Sequence, residues 1–182
     1  QVFDSLTDTN HQLRKFMARA NALTLAAQRG LLDRNALAAE FSRADIRQPQ
    51  RPNGVTNPQD ETYLALVENN FSEYRLQVSG LVERPLSLSL EELRQMPTRR
   101  QITRHDCVEG WSCIAEWIGV PLSQILDAAG VRPEARYVLF RCFDTVERSL
   151  SGPVRYYETI DLIDARHPQT ILSWGMNNAP LP

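Results

Sequence analysis

One cysteine of this chain lies in a context suited to metal or redox chemistry. Cys107 belongs to the segment RHDCVEGWS, residues 104–112. The pattern predicts a strand over 99–106, a turn at Gly110, and a short helix capped by Ser112. Backbone N–H groups and a helix dipole at such a corner favour a thiolate, which binds soft metals or attacks electrophiles. The alternative is that Cys107 is a small buried apolar residue.

The other cysteines do not complete a familiar site with Cys107. Three cysteines are an odd number, none of them in CxxC spacing, and with three histidines they do not form the four-ligand pattern of a structural zinc. No CxxCH haem-attachment motif occurs. Cys113 is interpreted as packing, and Cys142 as packing within a strand over 137–143. His105 is interpreted as a surface residue or a structural hydrogen-bond donor.

The composition narrows the class of protein. The chain has 182 residues, of which 42% are hydrophobic and 23% charged, which is typical of one large or two small globular domains. The chain has 20 basic and 22 acidic residues. A nucleic-acid-binding protein usually has a clear excess of basic residues, so this balance argues against a nucleic-acid partner. No run approaches the roughly 20 apolar residues that span a bilayer. The chain starts at Gln1 without a targeting signal, so we expect that a signal was removed or that the parent chain is longer.

Residues 1–59 are predicted to form a helical arm and a linker. Apolar residues at helical spacing predict a helix over 10–29. A second short helix is predicted to begin at Asp33, with Ala36, Leu37 and Phe41 on its apolar side. Residues 42–59 contain Pro49, Pro52, Gly54 and Pro58, which indicates a loop or linker. Such an arm packs on its own domain or on a partner.

Residues 60–182 predict a mixed α+β domain. Strands are expected near 74–78, 81–88, 99–106, 137–143, 154–157 and 170–174. Helices are expected after the capping box that begins at Ser89, ending before Met96-Pro97, and then from Pro121 to Gly130 and over 160–165. Residues 177–182 are interpreted as an interrupted loop, which predicts that the domain is truncated there.

The cysteine segment also resembles a known family. HDCVEGWS resembles the molybdenum-ligand segment of the sulfite-oxidase family of molybdopterin enzymes, with the bacterial periplasmic protein-methionine-sulfoxide reductases as its nearest branch. ENNFSEYRLQVSGLVERPLSLSLEELRQMP, WIGVPLSQILDAAGV and HPQTILSWGMNNAPLP resemble further segments in the same order. The resemblance covers about residues 62–182 and implies the family's mixed β-sheet molybdopterin-binding fold.

The resemblance implies a cofactor and its ligands. The family holds molybdenum through the dithiolene of one pyranopterin and one protein cysteine, so Cys107 is expected to be the catalytic metal ligand and not a nucleophile. Asn69, Ser72 and Glu73 fall where family members contact the pterin, although Ser72 replaces an aromatic residue of the reductases. Cys142 replaces a hydroxyl-bearing contact, and a thiol is a weaker hydrogen-bond partner.

Two differences from the family pattern bear on the choice of substrate and on the loading of the cofactor. Sulfite oxidases have an arginine-bearing segment after the ligand cysteine, whereas this chain has Glu109-Gly110-Trp111-Ser112. An acidic group there disfavours sulfite and favours an organic oxide. The segment that binds the pterin phosphate in the family is expected after Pro182, so this chain alone is expected to lack part of the site.

The leading hypothesis is therefore an oxygen-atom-transfer enzyme acting on a small-molecule or protein-bound oxide. The resemblance implies a periplasmic monomer that exchanges electrons with a separate redox partner, such as a membrane haem protein. A catalytically silent interaction module that keeps the fold is one alternative. A thiol-based redox protein using Cys107 and Cys113 is another.

Overall fold

A computed structural model describes residues 11–31, 36–49, 57–107, 109–149 and 152–181. The chain divides into two compact units between Ala36 and Leu37. The first contains one helix, α1 (His11–Leu31), which confirms the helix predicted over 10–29. The arm-and-linker boundary predicted at residue 59 remains a prediction.

The second unit combines eight strands with four further α-helices among the described residues. The helices are α2 (Glu61–Glu68), α3 (Leu90–Gln95), α4 (Leu122–Ala129) and α5 (Leu162–Ala165). The strands are β1 (Leu76–Val78), β2 (Leu86–Leu88), β3 (Arg99–Asp106), β4 (Ser112–Pro121), β5 (Tyr137–Ser149), β6 (Gly152–Asp161), β7 (Ile171–Met176) and β8 (Ala179–Pro180). The predicted mixed α+β class is confirmed.

The strands form three antiparallel sheets. The largest has the order β3-β4-β7-β8, while β1 pairs with β2 and β5 with β6. Two apolar clusters hold these layers together, and α4 contributes to both. Ile125 packs with Leu93 and Val120 in one cluster. Leu122 and Leu126 pack with Ala165 in the other.

Local signals placed two helices correctly. The Ser89 side chain accepts a hydrogen bond from the N–H of Glu92, and the Glu92 carboxylate accepts from the N–H of Ser89 at 2.8 Å, so the predicted capping box is present. Helix α4 ends at Gly130, whose φ of 69° lies in the left-handed region. Glycine adopts that conformation without a steric penalty.

The helix predicted from Asp33 is wrong for its described residues. Asp33 lies outside those residues, but residues 37–41 are extended along the edge of β3. Glu40 forms an antiparallel bridge with Thr103, and the N–H of Phe41 donates to the carbonyl of Ile102 at 2.8 Å. The side-chain amide of Gln169 bonds both backbone groups of Ala38. The unpaired edge of β3 offered these backbone groups partners that sequence periodicity does not reveal.

The interrupted loop predicted at the end of the chain is also wrong. Asn177 and Asn178 have φ of 51° and 65°, and Met176 pairs with Ala179 on either side of them. Two left-handed residues between paired strands form the tight turn that matches sheet twist, and asparagine tolerates that conformation. The segment is therefore the hairpin that joins β7 to β8.

A buried carboxylate ties these pieces together. Glu116, in the middle of β4, is only 1% exposed. The guanidinium of Arg43, from the 3₁₀ turn Arg43–Asp45, donates to its Oε1 at 2.7 Å. Arg100 of β3 lies 2.8 Å from its Oε2, close enough for an ion pair but not aligned as a hydrogen bond. The backbone of Glu116 exchanges hydrogen bonds with Asn177 at 2.9 Å.

Removing both arginines should expose the cost of this buried charge. The double variant Arg43→Ala/Arg100→Ala leaves the Glu116 carboxylate buried and unpaired, which we expect to lower the free energy of unfolding by about 3 kcal/mol. Adding Glu116→Gln should restore most of that loss, because a neutral amide has a smaller desolvation cost. Urea unfolding of the three proteins measures both effects. Equal stability of the double and triple variants would contradict a charge-based role.

Candidate active site

The short helix predicted after Ser112 is wrong, because Ser112 begins strand β4. Strand β4 pairs with the whole of β3, from Arg99 opposite Gly119 to Asp106 opposite Ser112. The Ser112 hydroxyl donates to Asp106 Oδ1 at 2.6 Å and does not cap a helix. The hydrogen bond from Ser112 is the largest cause, and the one from Arg104 the next, that hold the pKa of Asp106 below its ordinary value. Continuous ladder pairing with β3 overrides the capping preference of a single serine.

Cys107 lies in the turn that closes this hairpin. Its N–H donates to the carbonyl of Trp111 at 2.9 Å, and its carbonyl accepts from the N–H of Gly110 at 3.0 Å. Gly110 has φ of 86°, so the turn relies on a residue without a side chain. Cys107 is 9% exposed. The turn therefore orients a buried sulfur, and the predicted support from a helix dipole does not exist.

Cys113 is the neighbouring thiol on the same hairpin. It is half-buried, and it lies opposite His105 in the ladder. Burial, and then the Coulombic interaction with Cys107, raise the pKa of the Cys113 thiol. This arrangement keeps Cys113 protonated and is consistent with the packing role predicted for it.

An aromatic cluster adjoins the cysteine turn. The ring of His105 lies 5.7 Å from that of Trp111 and 6.1 Å from that of Trp117, measured between centroids. The indole N–H of Trp111 donates to Glu109 Oε2 at 2.9 Å. His105 is exposed, as predicted. The mouth of the turn therefore combines aromatic rings with one oriented carboxylate.

Three of the predicted pterin contacts share the loop after α2. Asn69 Nδ2 donates to Glu73 Oε2 at 3.2 Å, and the N–H of Ser72 donates to the carbonyl of Asn69 at 3.2 Å. Asn70 and Phe71, between them, have left-handed φ of 53° and 57°. The Oδ1 of Asn69 is buried without a hydrogen-bond partner among the described residues. A buried acceptor without a donor is uncommon in proteins, so this oxygen has room for a donor from a bound group or an ordered water.

The fourth predicted contact, Cys142, lies beside this loop. Tyr63 of α2 links the two elements, because its ring lies 5.6 Å from Phe71 and 5.7 Å from Phe143. Burial and the nearby Cys142 raise the pKa of the Tyr74 phenol. The structure thus brings Asn69, Ser72, Glu73 and Cys142 into one neighbourhood, which we call the loop group. Cys107 is anchored separately, by the backbone of its own hairpin.

Sequence reasoning missed Tyr74, which lies beside the loop group. Its alternation with Leu76 and Val78 predicted a strand residue, but β1 begins at Leu76. The N–H of Tyr74 instead donates to the carbonyl of Phe71 at 3.0 Å, closing the loop. No signal in the sequence separates a tyrosine that precedes a strand from one inside it.

The fold and this cysteine turn define a class of protein that comparison with known families identifies. The family described as the oxidoreductase molybdopterin binding domain matches residues 63–182. The chain belongs to this family, which confirms the resemblance to molybdopterin enzymes of the sulfite-oxidase type.

Its relatives include proteins named as methionine sulfoxide reductases. The chain is 38% identical over 152 residues to a putative protein-methionine-sulfoxide reductase subunit YedZ1 of Azospira oryzae, covering 84% of this chain and 52% of that protein. It is 37% identical over 119 residues to the catalytic subunit MsrP of Xanthomonas campestris, covering 61% of this chain and 36% of the relative. It is 27% identical over 187 residues to MsrP of Campylobacter jejuni, covering 88% of this chain and 62% of that protein.

The chain therefore spans between about a third and three fifths of the length of these relatives. Among solved structures, the sulfane dehydrogenase SoxCD of Paracoccus pantotrophus is similar with a TM-score of 0.49 and 24% identity. That match covers 61% of this chain and 31% of the other. A likeness of this extent adds nothing to the family assignment.

The residues present fit the cofactor that the family description implies. Cys107 offers a buried sulfur, the ligand type that a soft metal site prefers. Asn69 offers a buried acceptor, and a pterin ring carries the N–H donors that such an acceptor requires.

The two neighbouring thiols of the hairpin can be tested in the cofactor-free protein. Replacing the Cys107 thiol with Cys107→Ser should move the pH profile of Cys113 alkylation to lower pH, because the Coulombic interaction between the two thiols helps to raise the pKa of Cys113. Burial remains, so the shift should be partial. Peptide mass spectrometry measures the alkylation rate at each pH. Cys142→Ser is the matched control, and an unmoved profile in Cys107→Ser would show that the two sulfurs do not interact.

Proposed function

We propose that this chain is the cofactor-binding part of a molybdenum-dependent oxidoreductase in which Cys107 is the protein ligand of the metal. The observation that carries the proposal is the buried sulfur of Cys107, presented by a two-bond hairpin turn within the region matched by the family. When bound, the molybdenum cofactor supplies oxygen-atom transfer. The hairpin orients the sulfur and shields it from water.

The residues of the loop group are proposed to bind the pterin. Asn69 presents its free Oδ1 to a donor of the ring, while its Nδ2 is held by Glu73. Ser72 adds an exposed hydroxyl, and Cys142 faces the group with a weakly polar thiol. Tyr74, whose phenol pKa is raised by burial and by the nearby Cys142, lies next to these residues.

The substrate is proposed to be a neutral organic oxide, either a small molecule or an oxidised protein side chain. Glu109 lies two residues after Cys107, and the indole of Trp111 holds its carboxylate in place. A fixed negative charge there repels an anion such as sulfite. Several relatives are named as reductases of protein methionine sulfoxide, and a sulfoxide is a neutral oxide of this kind.

The relatives also guide the proposed setting of the reaction. One is named as a subunit and others as catalytic subunits, which fits an enzyme that exchanges electrons with a separate protein. We propose a membrane haem protein as that partner and the periplasm as the location. The cofactor-binding part itself acts as a monomer.

Metal analysis of matched cysteine variants tests the central assignment. After expression in a host that makes the cofactor, Cys107→Ser should lose at least about tenfold of its molybdenum and its Mo(V) paramagnetic signal. Its folding should be preserved, because both hydrogen bonds of the turn are made by backbone atoms. Cys113→Ser is the control and should keep its metal. Full loading of Cys107→Ser would exclude it as the ligand, and a folded wild type without metal would favour the silent module.

The role of Asn69 can be separated from a structural one. Asn69→Ala removes the unpartnered Oδ1 and an exposed bond to Glu73. We expect cofactor retention on dialysis to fall by about tenfold. The free energy of unfolding of the cofactor-free protein should be unchanged or higher, because a buried unsatisfied atom is lost. Asn57→Ala, at an exposed position, is the control. Undiminished retention, or a destabilised cofactor-free protein, would contradict a binding role.

A further inference from the structure

Helix α1 differs in charge from the rest of the chain. Over its 21 residues it contains Arg14, Lys15, Arg19 and Arg29 but no aspartate or glutamate, whereas the whole chain has a net charge of −2. Lys15 and Arg19 are four residues apart, so they lie on one face of the helix. Both are exposed. The helix is therefore a cationic element within an acidic protein.

The same helix exposes large apolar side chains on another face. Phe16, Met17 and Leu23 are 66%, 58% and 74% exposed. Phe16 and Leu23 are seven residues apart, so they lie on one stripe together with Ala20 and Ala27, and Met17 flanks this stripe about 100° around the helix. Single exposed apolar residues are ordinary on protein surfaces. Two such large side chains on one stripe, with a third beside it, form a surface suited to a nonpolar partner.

We propose that α1 binds the surface of an anionic lipid bilayer. An apolar stripe with Phe and Leu, on a helix whose aspartate and glutamate content is zero and whose charged residues are lysine and arginine, is the pattern of a helix that lies in the membrane interface. The stripe enters the boundary between headgroups and acyl chains, while Lys15 and Arg19 contact anionic headgroups. None of the helices in the described part of the chain combines the length and apolarity needed to cross a bilayer.

The charges favour a lipid surface over a second copy of this chain. A second α1 would bring the same cations together, and no acidic side chain in the helix would offset them. Repulsion between the lysine and arginine side chains of the two helices would oppose their association. An anionic bilayer offers headgroups to the basic side chains and acyl chains to the apolar stripe at the same time.

Vesicle sedimentation tests the proposal with the full chain. The protein should bind vesicles of equal parts phosphatidylglycerol and phosphatidylcholine, and bind pure phosphatidylcholine vesicles at least about tenfold more weakly. Lys15→Gln/Arg19→Gln should lower the partition coefficient by about 30-fold. Phe16→Gln/Leu23→Gln should lower it by a similar factor. The matched control, Ala18→Gln/Ala22→Gln, adds the same residue type to exposed positions outside the stripe and should bind like the parent protein.

Each result bears on the proposal. Glutamine is a good helix former, and circular dichroism checks that the variants keep the helical content of the parent. Selective binding that both paired variants lose would support it. Absent or lipid-independent binding would overturn it, as would binding that the control variant loses equally. Self-association through Phe16 and Leu23 in the absence of vesicle binding would also overturn it and identify a second copy as the partner.

Discussion

The arrangement of the second unit depends on one buried carboxylate. Glu116 lies where the 3₁₀ turn Arg43–Asp45, strand β3 and the β7–β8 hairpin meet, and it forms a hydrogen bond or an ion pair with each of them. A buried carboxylate is costly unless its partners are present together. The position of β4 is therefore specified by charge as well as by ladder pairing. Because β4 leads directly from the cysteine turn, this constraint reaches the site.

How much of the fold the sequence predicts depends on where the deciding contacts lie. The capping box at Ser89 and the helix ending at Gly130 were predicted because their partners are a few residues away. The predictions of helices at Ser112 and after Asp33 were wrong because both segments form backbone hydrogen bonds with strand β3 instead. It pairs with β4 on one side and with Glu40 and Phe41 on the other. The side-chain pattern of a segment does not show which distant strand will pair with it.

The candidate site shows the same division. The role of Cys107 as a metal ligand is predicted from its motif and from family resemblance and stays a prediction. The support expected from a helix dipole was wrong, since strand β4 begins where a helix was expected. The loop group was assembled by resemblance, and the unpartnered Oδ1 of Asn69 became visible only in three dimensions. Tyr74 was missed because the residue that influences it electrostatically, Cys142, lies 68 positions away in the sequence.

The loss of the helix changes the account of how Cys107 would act as a ligand. A helix dipole would have stabilised a thiolate before any metal arrived. The hairpin instead offers a buried sulfur whose position is determined by two backbone hydrogen bonds and a left-handed glycine. A coordinating metal ion deprotonates the thiol that binds it and supplies the compensating charge itself. The task of the hairpin is therefore positional, and Glu116, which fixes strand β4, contributes to the site by holding that position.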